Sequence, residues 1–133
     1  MTLITGTTAI ATENELYAYS PLIDFSSGSS GDDRIALSFD SPNAHYLCEI
    51  NASLDTSSWV ANDIIAIFYR ANGQIIFRAK WAVNATTIGQ PQQIFPLEII
   101  LPPNTNFKAI MAFQSGTAMV GSGSVVLVGR KIG

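Results

Sequence analysis

The residues best suited to nucleophilic chemistry are Cys48 and His45, the only cysteine and the only histidine among 133 residues. A catalytic thiol needs a nearby base to take its proton. Residues 46–50 read as a strand, and a spacing of three along a strand places two side chains on opposite faces. We therefore predict that Cys48 is a small buried apolar residue that does not pair with His45. A Ser-His-Asp triad through His45 stays open, because the members of a triad meet only in the folded chain.

Carboxylates are the other candidates for chemistry. Asp24, Asp32, Asp33 and Asp40 flank a loop rich in Ser and Gly, and hard oxygen ligands of this kind suit calcium. Their spacing matches no calcium-binding loop, so a solvated loop is the favoured interpretation. The sequence also contains no paired Cys and His ligands for zinc and no Gly-rich phosphate loop before a helix. We predict no catalytic residues, no metal and no cofactor.

Composition narrows the class of protein further. Apolar residues make up 47% of the chain and charged residues 13%, with a net charge of −3. The apolar content excludes a disordered chain, and the absence of a basic excess argues against nucleic-acid binding. No apolar run approaches the roughly 18 residues of a membrane span, and the first residues lack the features of a signal peptide. We predict one domain over residues 16–133, with residues 1–15 as an N-terminal arm or edge strand.

Strands must position whatever site exists, because the dominant period of the sequence is two. Residues 34–39 alternate large apolar with polar or small side chains, and every second residue of 95–101 and 107–113 is apolar, with turn signals between these segments. These features predict an all-β fold: an antiparallel, jelly-roll-like β-sandwich of eight or nine strands. Residues 125–128 are apolar on both faces, which is typical of a strand that is buried on two sides.

The central hairpin gives a register that can be checked. Asn72-Gly73 is the strongest hairpin turn in the chain, and a two-residue loop there pairs Phe68 with Phe77 and Ala66 with Ala79. The opposite face of that hairpin would then be too apolar for solvent. Its residues are the predicted subunit interface: Ile65, Ile67, Tyr69 and Ile76. A cover formed by the chain's own loops or N-terminal arm is the alternative, weighed equally.

A resemblance adds a family to this picture. Residues 95–109 form an apolar strand ending in Leu-Pro, a polar turn and an alternating strand, and a Gly-rich segment leads into residues 121–128. This last third of the chain resembles small jelly-roll virion proteins of bacteriophages. The resemblance implies a capsid-associated, decoration or tail-attached subunit that forms a trimer or ring with copies of itself and other virion proteins. The lack of Cys pairs and of signal-peptide features fits a particle that is assembled in the host cytoplasm.

Two other functions compete with a structural role. A carbohydrate-binding β-sandwich would use exposed aromatic side chains, and Trp59 with the polar loop at residues 84–93 is the candidate ligand contact. An enzyme would need His45. Both hypotheses remain, because β-sandwiches host many functions.

Overall fold

A computed structural model of the chain describes residues 2–4, 8–20, 23–24, 33–55, 64–82, 91–115 and 122–133. Every regular element among these residues is a β-strand, and none of them forms a helix that is long and apolar enough to cross a membrane. The strands are β1 (Thr2–Ile4), β2 (Thr8–Ala11), β3 (Glu15–Tyr19), β4 (Ile23–Asp24), β5 (Asp33–Asp40), β6 (Tyr46–Asp55), β7 (Ile64–Ala71), β8 (Gln74–Ala82), β9 (Pro91–Leu101), β10 (Asn106–Ser115) and β11 (Ser122–Lys131).

The strands form two antiparallel sheets. The larger sheet has the order β1-β2-β3-β11-β6-β9, with β4 also paired to β11, and the smaller sheet has the order β5-β10-β7-β8. If β3 and β5 to β11 are counted as strands 1 to 8, the two sheets read 1-8-3-6 and 2-7-4-5. This interleaving of two Greek keys is the jelly-roll arrangement. The predicted all-β sandwich is confirmed, and the additional strands are the N-terminal hairpin β1-β2 and the short β4.

Two strands, β3 and β4, pair with the same side of β11 at different positions along its length. β3 pairs with Val126–Arg130 and β4 pairs with Ser122 and Gly123. Between them, the Ser20 amide donates to the Val125 carbonyl at 2.9 Å, and the Val125 amide donates to Ser20 Oγ at 2.9 Å. The buried Ser20 hydroxyl thus accepts from a backbone amide at the point where the strand is interrupted, and this keeps that amide paired.

The core lies between the two sheets and follows the alternation of each strand. Leu16, Ile50 and Leu127 point inward from the larger sheet. An aromatic group points inward from the smaller sheet: the Phe107 ring lies 5.6 Å from that of Phe39 and 6.0 Å from that of Tyr69. Ring separations in this range are favourable beyond the apolar area that they bury.

The hairpin between β7 and β8 has the predicted turn but a different register. Asn72 and Gly73 both have positive φ, 50° and 82°, as a two-residue type I′ turn requires. Ala71 pairs with Gln74 as predicted, but a β-bulge at Tyr69/Arg70 then inserts one extra residue, Ile76, into β8. Farther from the turn, the predicted pairs of Phe68 with Phe77 and Ala66 with Ala79 are therefore wrong by one residue.

This one-residue shift corrects three of the four predicted interface residues. Ile65 and Ile67 are 0% exposed and Tyr69 is 1% exposed, and all three belong to the core cluster. Tyr69 stacks on Phe77 with ring centroids 5.3 Å apart. Because side chains alternate between faces, the bulge lets β7 turn its β-branched face inward while β8 still contributes Phe77 to the core. The cover of these residues is the chain's own second sheet.

Candidate interaction surface

The two residues best suited to catalysis lie in different environments. Cys48 is 1% exposed on the inner face of β6, and its Sγ donates to the Tyr46 carbonyl at 3.9 Å. Burial raises the pKa of the Cys48 thiol to about 12, which keeps it protonated and unreactive at neutral pH. His45 has an exposed side chain, and its backbone is held by hydrogen bonds to Gly133 and Ile132. The structure does not bring the two side chains together as a nucleophile and its base.

The remaining sequence candidates are dispersed. Trp59, Asp32 and most of the 84–93 loop lie outside the described residues, and β9 already begins at Pro91. Asp40 Oδ1 accepts from Asn106 Nδ2 at 2.9 Å. Among the described residues, no group of three or more His, Cys, Asp or Glu side chains could hold a metal ion. The fourth predicted interface residue, Ile76, is 46% exposed at the bulge of the edge strand β8.

A different set of apolar residues faces solvent, on the outer side of the larger sheet. Tyr17 and Tyr19 on β3 lie directly opposite Val128 and Val126 on β11, and each of the four is between 41% and 50% exposed. We call these four residues the apolar strip. Cross-strand neighbours of this kind contact one another along the sheet, so the strip is a contiguous apolar surface in the middle of the sheet.

The apolar strip corrects one expectation about β11. Residues 125–128 were predicted to be buried on both faces, but only Val125 and Leu127 are buried, at 0% exposure. A strand that is apolar on both faces is expected to be shielded from water on both faces, but its sequence does not identify what shields each face. On sequence alone Tyr17 and Tyr19 are possible aromatic contacts for a sugar, but isolated aromatic residues are common in cores and on surfaces alike, so the sequence does not favour them over Trp59.

Charged residues border one end of the apolar strip. Glu15, Glu49 and Arg130, together with Tyr17 and Val128, line a shallow depression of about 320 Å³. The Tyr17 hydroxyl donates to Glu15 Oε2 at 2.7 Å, and this hydrogen bond to the carboxylate raises the Tyr17 pKa. Glu98 on β9 lies directly opposite Glu49 on β6 in the sheet. Like charges at such positions repel, so Glu49 and Glu98 favour a cationic neighbour, whereas Glu15 already lies opposite Arg130.

The fold and this surface define a class: a jelly-roll β-sandwich with an uncovered apolar strip and no assembled catalytic centre among its described residues. No protein-family model matches the sequence, and no curated protein matches it. Solved structures do share its fold, and they include viral capsid proteins.

Three of these structures come from infectious bursal disease virus. The Gx strain structure superposes with a TM-score of 0.61 and 17% identity, over 93% of this chain and 34% of that chain. The VP2 subviral particle gives 0.55 and 16%, over 93% and 34%. The T=1 particle derived from the virus gives 0.53 and 14%, over 95% and 33%. The chain therefore spans about a third of the length of these proteins, and at such identities the likeness establishes the fold.

Proposed function

We propose that this chain is a non-enzymatic structural protein of a virus particle and acts by packing against copies of itself and other virion proteins. The observation that carries the proposal is the apolar strip. It leaves Tyr19 and Val126 half exposed at directly opposed positions on two neighbouring strands. Interface cores are depleted in charge and enriched in aromatic side chains, and the strip has both properties.

Two further observations support a particle protein. The solved structures that share the fold include a VP2 subviral particle and a T=1 particle derived from infectious bursal disease virus. Among the described residues, Cys48 is buried and protonated while His45 is exposed, so these two side chains do not act as a nucleophile and its base. A protein that acts by contact alone needs neither.

The finer assignment is a bacteriophage protein, associated with the capsid or attached as a decoration or tail subunit, that forms a trimer or ring and assembles in the host cytoplasm. It rests on the resemblance of residues 95–109, which fold as the end of β9, a turn and the start of β10. We also propose that the N-terminal segment at residues 1–15 contacts a neighbouring subunit, since β1 is an edge strand of the larger sheet. Exposed Ile76 is kept as a contact residue of the other sheet.

The test is the solution mass of the purified chain across a range of concentrations, by light scattering after size exclusion, with electron microscopy of the assembled fraction. We expect oligomers whose association weakens at least about tenfold when Val126 and Val128 are both changed to Thr. Threonine keeps the β-branched shape and adds a hydroxyl that loses its water on burial, at a cost of about 1–3 kcal/mol each.

The matched control is Ile132→Thr, because Ile132 is equally exposed at 49% but follows β11 outside the strip. It should associate like the unchanged protein. A chain that remains monomeric at every concentration would contradict the self-association that the proposal requires. A glycan that binds the monomer and changes its tryptophan fluorescence would then favour the carbohydrate-binding hypothesis and Trp59.

A further inference from the structure

Basic residues are concentrated on the outer face of the smaller sheet. The chain has seven Lys and Arg residues, and four of them lie on β7, β8 and β10 at positions that alternate with core residues. We call this group the basic face; its members are Arg70, Arg78, Lys80 and Lys108. The carboxylates Asp33 and Asp40 lie at the two ends of β5, across the sheet from β8, so the cations dominate the side formed by β7 and β8.

The register of the smaller sheet brings these cations together. Arg70 lies opposite Lys108 on β10, while Arg78 lies opposite Phe68 on β7. The Arg78 guanidinium lies over the Phe68 ring, 5.1 Å from its centroid, a cation–π geometry that holds the arginine across the sheet. Arg78 and Lys80 are both exposed. The face therefore combines fixed positive charge with a half-buried aromatic ring.

The outer face of the larger sheet has the opposite charge. Among the side chains that the structure describes, the exposed charged residues on β3, β6 and β9 are Glu15, Glu49 and Glu98, and Arg130 on β11 is a cation opposite Glu15. We call this group the acidic face. Side chains on the outer sides of the two sheets point away from each other across the sandwich. One copy of the chain therefore presents a basic face on one side and an acidic face with the apolar strip on the other.

We propose that copies of this chain associate head to tail, with the basic face of one copy on the acidic face and apolar strip of the next. This inference rests on the proposed function and names the mode of its self-association. The occupant of each face is a second copy, because the complementary charge and an apolar surface are both present on the same chain. A two-fold contact would place either face against itself and oppose like charges, which disfavours such a contact.

The size of the faces is compatible with a specific contact. A four-stranded sheet with strands of about eight residues covers about 500 Å², from strand spacings of about 4.8 Å and rises of about 3.3 Å per residue. Burying that area on both copies removes about 1,000 Å², at the lower limit for a specific interface. Such a contact depends strongly on its charges and should weaken with salt, since the screening length falls from about 8 Å at 0.15 M to about 3 Å at 1 M.

The test uses two charge-reversed variants of the full chain, analysed by sedimentation and light scattering. One is Arg78→Glu with Lys80→Glu, and the other is Glu49→Lys with Glu98→Lys. Each alone should have a dissociation constant at least about tenfold higher than the unchanged protein. An equimolar mixture should associate again with about the original constant, because the intact acidic face of the first variant meets the intact basic face of the second.

The second variant also separates specific contact from general repulsion. Reversing two carboxylates changes the net charge from −3 to about +1, so general repulsion would decrease and association would strengthen, whereas head-to-tail packing predicts the reverse. Lys131→Glu is the matched control, because Lys131 alternates with Arg130 and lies outside both faces. Urea unfolding midpoints of all variants confirm that each is folded.

The outcomes distinguish the inference from the function on which it rests. If the unchanged chain associates but either reversed variant associates equally well, or if the mixture does not recover, head-to-tail packing is overturned and the structural role stands. If the unchanged chain does not associate, the structural role itself is contradicted. A basic face that binds DNA, with loss of that binding in the first variant and no change in self-association, would also overturn the inference.

Discussion

The assignment of the β7 face to the core makes a quantitative prediction for Ile67→Ala. Ile67 is 0% exposed, and the substitution removes three buried carbons at about 0.8 kcal/mol each, or about 2.4 kcal/mol of apolar transfer free energy. The cavity that remains adds to this loss, which brings the expected destabilisation to about 3–4 kcal/mol. The fourth residue of the original interface set, Ile76, is 46% exposed, and Ile76→Ala should change the free energy of unfolding by no more than about 0.5 kcal/mol.

Urea unfolding followed by fluorescence measures both effects. With a slope of about 2 kcal/mol per molar urea, the Ile67 variant should unfold at a midpoint lower by about 1.5–2 M. Its oligomeric mass, measured where it is still folded, should equal that of the unchanged protein. An Ile67 variant that keeps its unfolding midpoint and loses only its association would refute the core assignment and restore the face of Ile65, Ile67 and Tyr69 as an interface.

Three further predictions concern Cys48 and its neighbours. Gly129→Ala should cost about 1–3 kcal/mol, because the added Cβ would lie 2.7 Å from Cys48 Sγ, and Cys48→Ala should recover part of that loss in the double variant, measured by urea unfolding. Burial raises the pKa values of Cys48 and Tyr69 from 9.0 and 10.0 to about 12. Because the unfolded chain releases these protons at lower pH than the folded chain, the free energy of unfolding should fall as pH rises from about 9 to 12. In Cys48→Ala this fall should begin nearer pH 10, where Tyr69 of the unfolded chain loses its proton. A thiol reagent at pH 8 should modify Cys48 no faster than the chain opens, and fast modification of the folded chain would contradict its burial.

The hairpin shows how far local sequence determines structure. Asn72 and Gly73 determine the turn, because both adopt the positive φ that few other residues tolerate. The bulge at Ile76 has no comparable signal: Ile75 and Ile76 are identical residues, and the sequence does not indicate which of them is unpaired. In the folded chain Ile76 is the unpaired residue, and this register places Tyr69 on Phe77 in the core. The sequence prediction misplaced the register by one residue and therefore assigned the wrong face of β7 to the core. As a result, three core residues were predicted to form an interface.

The order of the strands within the sheets is harder to predict from the sequence than the positions of the strands along the chain. The alternation of apolar side chains predicts β5, β9 and β10, because this signal depends only on residues that are neighbours in the chain. The placement of β11 between β3 and β6 joins residues that are at least 67 positions apart, the separation of Ser122 and Asp55, and only the folded chain brings them together. The apolar strip arises from that placement, since Tyr17 and Val128 contribute to one surface only when β3 lies beside β11. No local pattern could therefore have identified it as a candidate site.

The order of the strands also determines how charge is distributed over the surface of the protein. A net charge of −3 is compatible with a mixed surface and with two opposed faces, and these differ greatly in what they bind. Alternation places Arg78 and Lys80 on one side of β8 and Glu49 on one side of β6, but the sheet order decides that these sides point in opposite directions. A chain with opposed faces of opposite charge cannot satisfy both of them in a two-fold dimer. Head-to-tail contacts satisfy both, and they generate a closed ring when the rotation between neighbours divides a full turn and an open filament otherwise. Electron micrographs of the assembled protein would show the rotation between neighbouring copies. That rotation decides between the predicted ring and a filament.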